Sequence, residues 1–301
     1  MKPLAVFLGA VTAAGCASSR VPGGFDDEVD AAATDAGDPA DDAAGADGAR
    51  PDASTPDAPA ATGAATLLLS EVVLAPNEQE LIEIVNYGPA AVDLSTYYLS
   101  DAREYWRLPA DVPTVDTADF IVRFPAGATI PPRGVVTVAI DTAAAFTTAL
   151  GTAPTYSIAS GTMVVVTSGG VATLTNAGEP IVLFQWDGQG DRVLDVDLVL
   201  AGVPSAANLL ADKSGVALDG PDAGAATSAY ATDARTIAPQ AAAPPSGRST
   251  KRIALESAAV EVATGGNGAL GHDETTEATG TTWDTTFTAP TPGAVPAALT
   301  P

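Results

Sequence analysis

The chain reads as one all-β domain, a two-layer sandwich with long loops, carried behind a disordered tether. Three observations predict this. From Leu67 onward, short runs of β-branched and aromatic residues alternate with proline and glycine punctuation, the pattern of strands and turns. Ahead of that lies a long segment of Asp, Ala, Gly, Pro, Ser and Thr without strand or helix periodicity. And although 46% of the 301 residues are hydrophobic, only 5% are aromatic and alanine supplies much of the total, so core volume must come from the Val, Leu, Ile and aromatic runs after Leu67.

At the start, Lys2 precedes an uncharged, mostly apolar run, residues 4–14 (LAVFLGAVTAA), that ends at Gly15 and Cys16. This run falls short of the roughly 20 residues a bilayer span needs, and with small residues at its end it reads as a secretory signal. Ala13, Ala14, Gly15 and Cys16 resemble a bacterial lipobox, although Ala13 stands where that pattern prefers Leu. The resemblance implies that the signal covers residues 1–15 and that Cys16 is lipidated and becomes the first mature residue. The alternative is an ordinary signal cut nearby. Cys16 is the only cysteine, so no intrachain disulfide can form. Ala17 is not the Asp that resembles an inner-membrane retention signal, which makes the outer membrane the expected address.

Residues 21–63 hold eleven acidic residues against one basic residue, Arg50, for a net charge of −10. Self-repulsion with little apolar surface predicts an extended, disordered spacer. Calcium collection by this segment is the lesser reading, because mobile carboxylates lack a preorganised oxygen cage. Over the whole chain 13 Lys and Arg stand against 37 Asp and Glu, a net charge of −24. A polyanion of this kind repels nucleic acid and anionic surfaces, so the membrane is reached only through a lipid.

Strands are predicted at residues 67–74, 80–87, 92–99, 120–124, 135–140, 163–167, 180–186, 193–200 and 251–256, with a short helical turn at 142–150. Pro76, Gly88 with Pro89, Pro131 with Pro132, Gly178, and Gly188 with Gly190 mark their ends. In residues 80–86 (ELIEIVN) the two-residue period places Ile82 and Ile84 on the core face and Glu83 outside the core. Residues 204–245 are Ala- and Asp-rich and read as an inserted surface loop within a domain of residues 64–301. So long a loop is uncommon, and a separate mini-domain is the alternative.

Residues 67–102 (LLLSEVVLAPNEQELIEIVNYGPAAVDLSTYYLSDA) resemble the opening of a lamin tail domain. Residues 128–139 (ATIPPRGVVTVA), 177–197 (AGEPIVLFQWDGQGDRVLDVD), and Trp283 with Thr291, Pro292 and Gly293 are similar to later steps of that family. The resemblance implies an immunoglobulin-like β-sandwich acting as a noncatalytic interaction module. The sequence calls for no cofactor, calcium being the one ion to weigh.

Candidate chemistry is sparse. His272, the only histidine, sits in GGNGALGHDETTE and reads as an exposed loop residue; no nucleophile motif, phosphate loop or zinc-protease motif accompanies it. Glu71 and Glu83 fall on adjacent strands, and Asp195 and Asp197 on one face of theirs, both read as solvated strand faces. Asp187 and Asp191 (WDGQGD) are the candidate calcium ligands, although glycine-rich hairpin turns have the same composition, and the acidic run 212–222 is a second such stretch. The leading functional class is an envelope module that binds a protein or glycan, without enzymatic activity. A calcium-dependent adhesin and a cryptic hydrolase are the alternatives.

Overall fold

The computed structural model describes residues 64–202, 212–233 and 241–299; the signal segment, Cys16 and the acidic tether lie outside them. The strands, in chain order, are β1 (Leu67–Val73), β2 (Leu81–Asn86), β3 (Val92–Asp93), β4 (Tyr97–Ser100), β5 (Phe120–Arg123), β6 (Thr129–Ile130) and β7 (Val135–Ala139). After helix α1 (Ala143–Leu150) come β8 (Tyr156–Ser157), β9 (Val164–Ser168), β10 (Gly178–Gln185), β11 (Leu194–Gly202), β12 (Ala217–Leu218), β13 (Ser228–Ala229) and β14 (Thr250–Lys251). A last helical turn, α2, is Thr279–Thr282. Among the described residues these strands build two five-stranded sheets, ordered β14-β1-β2-β7-β8 and β11-β10-β4-β5-β9, plus the pairs β12-β13 and β3-β6. Every pairing is antiparallel except β7 with β8.

The core between the sheets follows from alternation. Ile82 and Ile84 face inward, as expected, against Leu99, Phe120, Val122, Leu183 and Val199. In β1 an irregularity between Leu69 and Glu71 breaks the period, so that Leu67, Leu69, Val72 and Leu74 all reach the same core.

The predicted strand 92–99 is two strands. Asp93 Oδ1 accepts the Ser95 N–H at 2.8 Å, closing a turn that hands the chain from β3, paired with β6, to β4 in the second sheet. The predicted strand 251–256 is mostly absent. The N–H groups of Ile253 and Ala254 donate to the Thr282 carbonyl instead of continuing along β1, and Arg252 makes one bridge to Trp283.

Loops account for the domain's size because they coat the outer faces of both sheets. On the first sheet, α1 seats Phe146 against Val73, Leu81 and Ala139, and Leu299 packs on Leu68 and Val85. The helix starts at Thr142, whose side chain accepts the Ala145 N–H at 3.2 Å, and stops at Gly151, where φ is 75°. On the second sheet, Tyr105, Trp106 and Leu108 join Leu218 and Tyr230 over Tyr98, Ile121, Val182, Phe184 and Leu198. Residues 204–245 were expected to lack strand character; their described part contains β12 and β13 and contributes buried side chains to this coat. Residues 203–211 and 234–240 lie outside the description.

Candidate functional site

Where the chain turns from β3 to β4, an apolar wall of Pro89, Ala90, Ala91 and Val92 faces Tyr97 and Gln185 across a groove of about 460 Å³. Asp93, Ser95 and Thr96 supply its polar rim. The Ser95 amide hydrogen bond holds the Asp93 carboxyl below its usual range, so the rim carries a negative charge. The Tyr97 hydroxyl and Gln185 Oε1 are buried and lack a hydrogen-bond partner, while Gln185 Nε2 donates to Thr96 at 3.1 Å. Burial pushes the Tyr97 phenol up to about 12, so it remains a neutral donor. Neither Tyr97 nor Gln185 stands out in the sequence, because the groove exists only once β4 and β10 pair.

The acid pairs expected on solvated faces are buried. Glu71 and Glu83 are cross-strand neighbours, as adjacency predicted, but the closing Thr-Pro-Gly segment lies over them. Glu71 accepts the Thr291 N–H at 2.9 Å, and Glu83 accepts the Gly293 N–H at 2.7 Å and the Ser70 hydroxyl at 2.9 Å. Backbone donors and Lys251, 3.6 Å from Glu71, converge on the pair. Burial nevertheless raises the Glu83 carboxyl to about 7.

Asp195 and Asp197 occupy opposite faces of β11, against the expectation of a shared face. The register runs Leu183 with Asp197 and then Phe184 with Asp195, so Val196 is an extra residue, a β-bulge that reverses the alternation. Asp197 points inward, beside Leu69, and Asp195 outward, beneath Tyr105.

Each aspartate meets a buried cation. Arg252 Nη2 lies 2.7 Å from both Asp197 oxygens, its Nη1 3.0 Å from Glu277 and Glu256, and its Nε donates to the Leu69 carbonyl at 2.9 Å. Trp283 lies under this guanidinium at 5.2 Å. Burial raises Asp197 to about 6, with Arg252 pulling the other way. On the outer face, Lys213 Nζ lies 2.6 Å from Asp195 and 3.3 Å from Asp233. Lys213 is the sole basic residue between Arg192 and Arg235, a signal that sequence reading could have used.

The candidate calcium pair is placed apart in role. Asp187 Oδ1 accepts the N–H groups of Gln189 and Gly190, both at 2.9 Å, and so holds its own turn. Asp191 accepts the Gly220 N–H at 2.7 Å and gathers with Asp219 and Asp222, from the second acidic run, within 4.8 Å. Besides the Asp197, Glu256 and Glu277 carboxyls gathered round Arg252, two further donor groups are as close: Asp101, Asp119 and Glu179, and Glu256, Glu261 and His272. The oxygen-only trio suits a hard cation such as calcium, and the imidazole-bearing one a transition metal. His272, expected to be exposed, has only 25% of its side chain accessible and lies 2.7 Å from Glu261 Oε1. Burial raises Glu261 to about 8 and holds Glu256 and Glu274 well above their usual range.

Two facing, mainly antiparallel sheets, coated by loops and opening into a groove, define an immunoglobulin-like β-sandwich module. A model of the lamin tail domain family matches residues 60–217, and the chain belongs to that family. Trp283 and the Thr-Pro-Gly segment fall beyond the matched range yet complete the sandwich. The chain is also similar to a crystal structure of a DUF4876 family protein from Bacteroides thetaiotaomicron, at 12% identity and a TM-score of 0.36, over 77% of this chain and 72% of that one. No curated protein matches. Among the described residues no helix is long and apolar enough to cross a membrane.

Proposed function

We propose that this chain is a noncatalytic binding module displayed at the cell envelope from a lipid on Cys16, with the acidic segment 21–63 as its spacer and a hydroxyl-rich glycan as its ligand. The observation that carries the ligand assignment is the groove, whose apolar wall of Pro89, Ala90, Ala91 and Val92 is rimmed by the Asp93 carboxyl and the Ser95 and Thr96 hydroxyls. A sugar has apolar ring faces and hydroxyls that both donate and accept, which match such a wall and rim. The rim charge on Asp93 and the net charge of −24 favour a neutral ligand over an anionic one.

The test pairs binding with stability. Full-length protein is incubated with peptidoglycan fragments and with neutral outer-membrane polysaccharide, and retention is compared for wild type and Ser95→Ala, a change at the polar rim. The expected result is retention of wild type on one glycan, weakened retention in the variant, and a nearly unchanged unfolding midpoint, since Ser95 is only half-buried. Absence of wild-type retention on every glycan, or full retention by the variant, contradicts the groove assignment. The anchor is tested separately: fatty-acid labelling should be present in wild type and absent in Cys16→Ser.

A further inference from the structure

The cluster on the outer face of β11 has the parts of a condensation reaction. Lys213 Nζ and the Asp195 carboxyl are in contact at 2.6 Å, with side-chain exposures of 0% and 1%. The other Asp195 oxygen, Oδ1, accepts the Tyr105 hydroxyl at 2.7 Å. Asp233 Oδ2 lies 3.3 Å from the same Nζ. Asp233 is itself held by the Lys213 backbone N–H at 2.9 Å and by Asn267 Nδ2 at 2.6 Å. Tyr105 and Tyr230 rings stand 5.8 and 5.9 Å from the nitrogen, so the surroundings are aromatic and enclosed.

We propose that Lys213 and Asp195 join through an intramolecular isopeptide bond, with Asp233 moving the proton and Tyr105 polarising the reacting carboxyl. A fixed amine and acid gain the advantage of an intramolecular reaction, with effective concentrations of about 10⁵ M or more in well-oriented cases. Exclusion of water also favours neutral partners over a buried ion pair and disfavours hydrolysis of the product.

Asp233 accepts a proton from the Lys213 ammonium and frees the nitrogen lone pair, which attacks Cγ of Asp195. The Nζ–Cγ bond forms as the Tyr105 hydroxyl supports charge on Oδ1. The Cγ–Oδ2 bond then breaks. Of the three ammonium protons one stays on the amide nitrogen and two leave on Oδ2 as water, relayed through Asp233, which ends as it began. No other reactant is consumed.

Burial supports the step by pushing the Asp195 carboxyl up toward its neutral form. Burial works against the charge on Lys213 as well, but Asp195 and Asp233 outweigh it and keep the pKa raised, which is why a proton acceptor in contact with Nζ is required. The bond would fasten the inserted segment to β11 in a chain whose single cysteine excludes an intrachain disulfide.

The test is peptide mass analysis of the folded full chain after denaturation and trypsin. Trypsin cuts after Lys and Arg, so an unlinked chain yields residues 193–213 and 214–235, while the linked chain yields residues 193–235 as one uncut piece lighter by one water. The linked piece is expected from wild type. Lys213→Met and Asp233→Asn are expected to show the full sequence mass, the latter with Lys213 cleavable. Full-mass pieces cut at Lys213 in wild type overturn the proposal. Loss of water with Lys213 still cleavable, the mark of a cyclised aspartate, overturns it as well. Equal linkage in Asp233→Asn overturns the role given to Asp233, and if that variant fails to fold the wild-type digest decides.

Discussion

Asp195 and Asp197 are two residues apart on one strand, fully buried, and each bound to a buried cation, yet their surroundings have different chemistry. Asp197 faces a guanidinium that is always charged, shared with Glu256 and Glu277 and backed by Trp283. Asp195 faces a lysine, whose nitrogen becomes a nucleophile when it loses a proton, with an acceptor in Asp233 and a donor in Tyr105. One inserted residue, Val196, creates the difference by turning the strand over between them. The inner site locks the two sheets together; the outer one fastens an insertion to the sandwich.

Removing the inner cation should do the most damage. Arg252→Ala leaves Asp197, Glu256 and Glu277 buried without a counter-charge, and breaking one side of a buried pair costs about 3–5 kcal/mol. That is a large share of a domain's total stability, so chemical denaturation should show the variant unfolded or nearly so. A change below about 1 kcal/mol would mean the cluster is neutral at working pH and the inner lock absent.

Next in size is Gly268→Ala, which probes the glycine loop over the inner cluster. A Cβ there would lie 2.7 Å from Glu274 Oε1 and 2.9 Å from the His272 carbonyl. Overpacking of this kind costs about 1–3 kcal/mol, read as a lower unfolding midpoint. An unchanged midpoint would show that the loop shifts freely.

The acids also give the comparison a pH axis. Burial raises Glu80 and Glu261 from 4.5 to about 8, and Glu83 and Glu179 to about 7. Between those limits the folded chain keeps protons that the unfolded chain releases, so stability is greatest at the acidic end and declines as pH rises. The thermal midpoint should fall between about pH 5 and pH 8. A rising profile would mean these carboxylates are held charged by partners.

The smallest effect is expected at the hairpin turn. Asp187→Asn with Asp191→Asn should cost under about 1 kcal/mol of stability, with or without calcium, since an amide oxygen can still accept the Gln189, Gly190 and Gly220 N–H groups. A large calcium-dependent rise abolished by the pair would revive the adhesin alternative.

Much of the sandwich was legible in the sequence, because alternation and turn residues are local signals. Ile82 and Ile84 are where the two-residue period puts them, and α1 forms within residues 142–150, where a short helical turn is predicted. The misreadings have two physical causes. Counting by twos through Asp195 and Asp197 fails at a bulge, which leaves no mark in a run such as LDVD. Burial of Glu71 by Thr291 depends on a partner 220 residues away, and solvation of a strand face cannot be judged without knowing what covers it. The groove at Tyr97 and the Lys213 cluster are likewise products of tertiary packing.

The central claim is that the Val196 bulge sends Asp195 and Asp197 to opposite faces and different cations. Double-mutant cycles in chemical denaturation test it directly, with Asp195→Asn and Asp197→Asn each combined with Arg252→Lys. Arg252→Lys keeps a positive charge but removes the forked contact, so the variants stay near enough to native to be measured. The account predicts a coupling energy above about 1 kcal/mol for Asp197 with Arg252 and less than about 0.3 kcal/mol for Asp195 with Arg252. Equal coupling of both aspartates to Arg252 would place them on one face and contradict the account.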